Sequence, residues 1–154
     1  EIYSPVNGII TSVVNDGHGA SIGLKNKEIQ IKSADQPAFI FIFFHCDIIS
    51  EAIASGKSVQ AGELLGYARL YYEDLQQYTT SFDIAVSVNT PVGMRLISYF
   101  DVLDDQVFNE YVSRGANSRS DFVITREARD GSPLQCNGET FLNSGILDNW
   151  VTLN

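Results

Sequence analysis

A mainly β domain, built as a flattened barrel-sandwich of short strands with a small helix-containing C-terminal extension, is the fold class that the sequence predicts. Three observations predict it. Gly56 and Gly62 enclose a lone Val59 and run at once into Leu64, Leu65 and Gly66. Each glycine can supply a φ > 0 turn, so only a short strand fits between them. Residues 1–100 carry apolar runs of strand length, separated by Asn-Gly, Asn-Asp-Gly and Pro-containing turns. Beyond residue 100 the punctuation changes, and Asp101 to Arg114 carries apolar residues close to helical spacing.

Taken in order, Ile2 to Val6 reads as a strand entering an Asn7-Gly8 hairpin turn, with Ile9 to Val14 as the next strand. Asn15 to Gly19 is a loop by composition, and His18 reads as an exposed loop histidine. Ile22 to Leu24 and Ile29 to Ile31 fit two strands around Lys25-Asn26-Lys27, and Ser33 to Pro37 is a turn. Phe39 to Phe44 is a continuous apolar strand, the pattern of a strand covered on both faces. Leu64 to Tyr72 and the alternating Phe82 to Val88 are further strands, and Asn89 to Gly93 is a turn. A helix follows within Asp101 to Arg114, with Asp104 as N-cap and Gly115 as its stop. Asp101, Asp104 and Asp105 suit the positive end of a helix dipole. Phe122 to Thr125 fits a strand, and Asp130 to Pro133 a turn. Residues 1–100 are therefore expected as one β domain and 101–154 as an extension. Phe100, Phe108, Phe122, Phe141 and Trp150 are too apolar to stay exposed together, so the extension is expected to pack on the β domain with Trp150 buried.

Composition removes several function classes. Ten Lys plus Arg stand against nineteen Asp plus Glu, a net charge of −9, and the cations are scattered from Lys25 to Arg129. Nucleic-acid partners need clustered cations to neutralise phosphates, so none is expected. No apolar run is long enough for a membrane span. The sequence opens at Glu1 inside an extended pattern, which suggests a processed or trimmed N-terminus. Cys46 and Cys136 can be one bridge in an oxidising compartment or two buried thiols, and the sequence leaves both open. A four-cysteine zinc site is excluded by count, and one of two cysteines and two histidines by spacing.

Four segments together carry a family resemblance. Ile2 to Ile10, with Tyr3, Pro5 and Gly8, resembles the "hydrophobic-Tyr-small-Pro-x-x-Gly-x-hydrophobic" strand of lysostaphin/LytM-type zinc metallopeptidases. Phe43-Phe44-His45-Cys46 resembles their "Tyr-x-His-Leu", Ile53 to Gly66 their "Val-x-x-Gly-x-x-Val-x-x-Gly-x-x-hydrophobic-Gly", and Phe82 to Val86 their "Leu-His-Phe-Glu-Val". The match covers about the first hundred residues, in order and spacing. The glycine segment by itself is shared with biotinyl/lipoyl and phosphotransferase carrier domains. The resemblance implies a LytM-like (duplicated hybrid motif) fold and a periplasmic or extracellular setting. It also implies a zinc ion that activates water against a peptide carbonyl.

The residues that would do this chemistry are missing. The family's His-x-x-x-Asp occurs nowhere in the chain, and the two His-x-His positions are Ser81 and Asp83. Only His45 matches a catalytic position. His45, Ser81 and Asp83 are thus vestigial candidates, no catalytic residue is expected, and no metal or other cofactor is expected. His45 reads as a hydrogen-bonded rim histidine or as a polar group in a retained groove. Asp83 reads as a solvent-facing acid or as a groove acid able to pair with His45. Tyr67, Tyr71, Tyr72 and Tyr78, around Leu70, read as strand packing with rim tyrosines or as rings on which a sugar or peptide stacks, Tyr67 and Tyr71 foremost. No Ser or Cys nucleophile scheme assembles, because adjacent residues His45 and Cys46 point to opposite faces of a strand. The expected function is a degenerate peptidase-like domain that binds a protein or cell-wall polymer ligand through its former active groove. The alternative is a divergent zinc metallopeptidase acting on peptidoglycan peptides, with ligands supplied upstream or by Asp83.

Overall fold

The structure is a computed structural model, and it describes residues 1–17, 21–73, 76–78, 82–131, 133, 135–137, 140–141 and 151–154. The chain divides into two compact units, Glu1–Tyr99 and Phe100–Asn154. It is mainly β, with a curled antiparallel half-barrel sheet and a small C-terminal helix. No helix among the described residues is long and apolar enough to cross a membrane.

The sheet of the first unit is organised around its longest strand. Its strands are β1 (Ile2–Tyr3), β2 (Gly8–Asn15), β3 (Lys27–Ser33), β4 (Phe39–Ile48), β5 (Ser58–Val59), β6 (Leu64–Ala68), β9 (Ile84–Thr90) and β10 (Gly93–Ile97), running in the order β1-β6-β4-β3-β2-β5, with β9 and then β10 on β4. A separate small ribbon pairs β7 (Tyr71–Tyr72) with β8 (Gln77–Tyr78). One edge of β4 is lined by β3. The other edge changes partner partway along: Phe39–Phe43 pair with β9, and Cys46–Ile48 pair with β6. Alternation along β4 buries Phe41, Phe43, Cys46 and Ile48, and they join Ile10, Ile29, Ile31, Leu65 and Val86 in the core.

The glycine-punctuated segment forms turns around a short strand. Gly56 and Gly62 have φ of 91° and 81°. Val59 and Leu65 are buried, whereas Leu64, one residue out of phase with Leu65, is only half-buried. Gly8 and Gly66 serve another purpose. A β-carbon on Gly8 would lie 2.4 Å from the Lys32 carbonyl oxygen, and one on Gly66 would lie 2.3 Å from that of Asp47. Gly8 therefore allows three strands to meet, because it pairs with both Ser33 and Val59.

Several local expectations are corrected. Asn7-Gly8 is not a hairpin turn: β1 pairs with β6 rather than with β2, and the Asn7 side chain accepts from the Ala61 N–H at 3.0 Å. Ile22–Leu24 is no strand; Gly23 and Asn26 take φ of 57° and 51°, which breaks extension there. The expected strand Leu64–Tyr72 is broken at Arg69 and Leu70 into β6 and β7.

The second unit begins at Phe100, inside α1 (Tyr99–Val102), and α2 (Asp105–Ser113) follows. Asp104 caps α2, accepting from the Gln106 N–H at 2.8 Å, and Gly115 follows its end with φ of 110°. A 3-10 turn occupies Arg119–Phe122, where Asp121 accepts from the Ser118 N–H and closes a capping box, and the strand expected at Phe122–Thr125 does not form. α3 (Arg126–Gly131) and the hairpin β11 (Cys136–Asn137) with β12 (Thr140–Phe141) complete it. Phe100 stacks on Phe122 at 4.1 Å between ring centroids, and Phe108 and Tyr111 pack edge-on against Phe122. Within this unit Phe100, Phe108 and Phe122 thus contact one another. Trp150 and the side chain of Phe141 lie outside the described residues.

Cys46 is a free thiol, fully buried, so it forms no bridge. Burial, helped by the nearby carboxylates of Asp16 and Asp47, pushes its pKa up to about 12.

Candidate functional site

The switch of partners along β4 creates the site. Between Phe43 and Cys46 the β3–β4 register slips by one residue, so β4 carries a bulge at Phe44 and His45. His45 takes φ of 55°, a left-handed conformation that a non-glycine residue adopts only under constraint. The constraint can be named atom by atom. The His45 N–H donates to Asp16 Oδ2 at 2.9 Å, and the His45 carbonyl accepts from the Arg69 N–H at 2.7 Å. The preceding amide, Phe44 N–H, donates to the Asp83 carbonyl at 3.1 Å. The chain therefore leaves one neighbour and joins the next with its backbone groups satisfied, and the bulge re-aims the imidazole.

The imidazole lies among carboxylates. Asp16 Oδ2 approaches His45 Nδ1 to 2.5 Å, and the Asp16 side chain is 4% exposed. On the other edge of the ring, Asp83 Oδ2 is 3.6 Å from His45 Nε2, and the Asp83 side chain is 65% exposed. Tyr72 Oη stands 3.2 Å from Nδ1. The Tyr72 ring in turn carries the Arg69 guanidinium, 4.7 Å from its centroid. Burial is the main influence raising the Tyr72 phenol above its ordinary pKa; Arg69 opposes the shift, and Asp16, Asp47 and Asp83 add to it.

Of the residues singled out from the sequence, the structure brings His45 and Asp83 together, with Asp83 in the approach to β9 rather than within a strand. Ser81 and His18 lie outside the described residues. Tyr71 packs against Tyr78 with ring centroids 4.6 Å apart and planes tilted by 45°, on the opposite side of the small ribbon from Tyr72 by strand alternation. Tyr67, in β6, pairs with Asp47 of β4, and its ring is half-exposed. Two members of the cluster, Asp16 and Arg69, are not legible in the sequence, and Tyr72 reads there only as one ring of an aromatic stretch. Asp16 carried a weak signal, an acid in a glycine-containing loop directly after a strand.

The zinc that the resemblance implies can be tested against the side chains present. His45 Nε2 and the Asp83 carboxylate are two donors, but the described residues hold no group of three or more His, Cys, Asp or Glu side chains suited to a metal ion. They do not fit the three-ligand zinc site of that chemistry. No family model, curated protein or solved structure compared with the chain matches it.

Proposed function

We propose that the Glu1–Tyr99 unit is a non-catalytic, LytM-like peptidase-homologue domain that binds a protein or cell-wall-type ligand through the rim built on His45 and Asp83. One observation carries the reading. The single residue matching a catalytic position, His45, is tied by ring and backbone to the buried Asp16 carboxylate, with Tyr72 beside the same ring nitrogen. An imidazole held in this way is a fixed recognition element. Asp83 supplies an exposed acceptor next to it, suited to amide N–H or hydroxyl groups of a peptide or sugar. The half-exposed ring of Tyr67 offers a flat apolar surface for the rest of such a ligand, whereas Tyr71 faces away from the rim. A cell-wall ligand places the domain in the periplasm or outside the cell.

The test is an amide-resolved NMR titration of the full chain with soluble peptidoglycan fragments. Shifts centred on His45, Asp83 and Tyr72 are expected, weakened in Asp83→Ala. Binding that leaves those three signals untouched would sink the rim as the binding site. A second reading, a divergent zinc metallopeptidase, draws on the 3.6 Å approach of His45 Nε2 and Asp83. Close to one zinc per chain, lost on His45→Ala or Asp83→Ala, would replace the first reading by the second.

A further inference from the structure

We propose that Asp16 is the positioning residue of this rim: one of its carboxylate oxygens fixes both the backbone and the ring of His45, so that the ring edge beside Asp83 is an acceptor. The proposal about the rim's ligand rests on the binding reading above; the proposal about Asp16 and His45 does not. Asp16 stands at the end of β2, in the connection to β3, far in sequence from β4. Its Oδ2 lies 2.9 Å from the His45 backbone nitrogen and 2.5 Å from Nδ1. A carboxylate only accepts, so an anionic oxygen this close to a ring nitrogen calls for a proton on that nitrogen. In the neutral imidazole the proton then belongs to Nδ1, and Nε2 holds the lone pair. Tyr72 Oη, 3.2 Å from Nδ1, becomes a second acceptor for the same proton.

Two consequences follow for chemistry at the rim. Nε2 and the Asp83 carboxylate, 3.6 Å apart, form a pair of acceptors that share one edge. The group of a ligand that fits there is a donor, an amide N–H or a hydroxyl, and an anion such as a carboxylate or phosphate is repelled. The backbone N–H of His45 is also satisfied by Asp16 rather than by a neighbouring strand, which is what lets the bulge persist at φ of 55°.

The experiment uses the intact chain, labelled with nitrogen-15, at a pH where the ring is neutral. Nitrogen shifts of His45 report which ring nitrogen carries the proton. The wild type is expected as the Nδ1–H form. Asp16→Ala removes the one oxygen that holds both N–H groups, so the proton is expected to move to Nε2, beside Asp83. Asp16→Asn, whose carbonyl oxygen can replace Oδ2 for both N–H groups, is the conservative control and is expected to keep the Nδ1–H form. An Nε2–H ring in the wild type, or an unchanged ring in a folded Asp16→Ala, overturns the proposal. A second arm titrates tri-N-acetylchitotriose and acetyl-trialanine amide, watching the Asp83 amide. If either binds there, Asp16→Ala is expected to weaken it about tenfold, as a lost hydrogen bond to a fixed acceptor implies. Equal affinity in the two proteins overturns the acceptor-edge assignment. If neither probe nor any peptidoglycan fragment reaches the rim, the binding reading fails while the ring measurement still decides Asp16.

Discussion

The two units, Glu1–Tyr99 and Phe100–Asn154, cohere by different means. In the first, β4 is paired along both edges and Phe41, Phe43, Ile29, Ile31 and Leu65 are almost wholly out of water. Each core residue there is fixed twice, by its ladder partner and by its neighbours across the core. In the second, only Leu103, Phe108 and Ala116 are buried among the described residues, and cohesion comes from stacked rings around Phe122 and from capped, short helices. The polar cluster sits in the well-ordered ladder, at the one place where that ladder changes partners. A rigid sheet can hold a strained histidine because the surrounding pairings over-determine it; a ring cluster with few buried neighbours could not.

The largest effect should separate the units directly. Phe41→Ala removes a fully buried ring from the centre of the sheet and should cost about 3–5 kcal/mol. Phe108→Ala, from a ring that still meets water and carries Arg119 on its face, should cost less than half as much. Urea titrations read by residue-resolved NMR would show each loss in its own unit. Equal losses, spread over all residues in one transition, would break the comparison and make the chain a single cooperative body.

The glycines sharpen the same contrast within the sheet. Gly66→Ala drives a β-carbon to within 2.3 Å of the Asp47 carbonyl, so a strand must shift, and a cost above about 2 kcal/mol is expected. Gly56→Ala meets nothing within 4 Å and is opposed only by its φ of 91°, for about 1 kcal/mol. Chemical denaturation of the two variants gives the order, and a larger loss for Gly56→Ala would contradict the strand contacts.

These glycines also show what was legible in the sequence. The turns at Gly56 and Gly62 could be read because spacing alone demands φ > 0 there. The helix at Asp105–Ser113 could be read because Asp104 and Gly115 bracket it. Gly8 was misread as half of a hairpin turn, since a glycine needed for close strand approach looks the same in sequence as one needed for a turn. The site was half legible. His45 and Asp83 stood out as residue types at meaningful positions. Asp16 and Arg69 did not, because they reach His45 through a bulge and a change of strand partner, and neither leaves a periodic trace.

The thiol of Cys46 offers a probe confined to the first unit. Its folded pKa is about 12, above the ordinary value of 9.0 that the unfolded chain should show. Folding therefore favours the protonated form. The associated stability is complete below about pH 9 and is lost as pH climbs toward 12. Midway, near pH 10.5, the sheet should have lost on the order of 2 kcal/mol relative to Cys46→Ala. Melting curves of the two proteins at pH 8 and pH 10.5 read the difference, and parallel curves would mean that the thiol meets water in the native state.

The smallest effect belongs to the second unit and tests whether its helix stands on its cap or on its rings. Asp104 accepts from the Gln106 N–H at 2.8 Å, satisfying one of the amides that the first turn leaves without a helical partner. Its charge also faces the positive end of the helix dipole. Asp104→Ala removes both interactions and should cost about 1 kcal/mol, while Asp104→Ser keeps the acceptor and should recover most of it. The loss should appear as faster amide exchange along Asp105–Ser113, with the amides of β3, β4 and β9 unchanged. If the rings of Phe100, Phe108, Tyr111 and Phe122 alone fix the helix, Asp104→Ala leaves exchange unaltered. If instead the sheet amides open together with the helix, the second unit supports the first, and the two modes of cohesion are one.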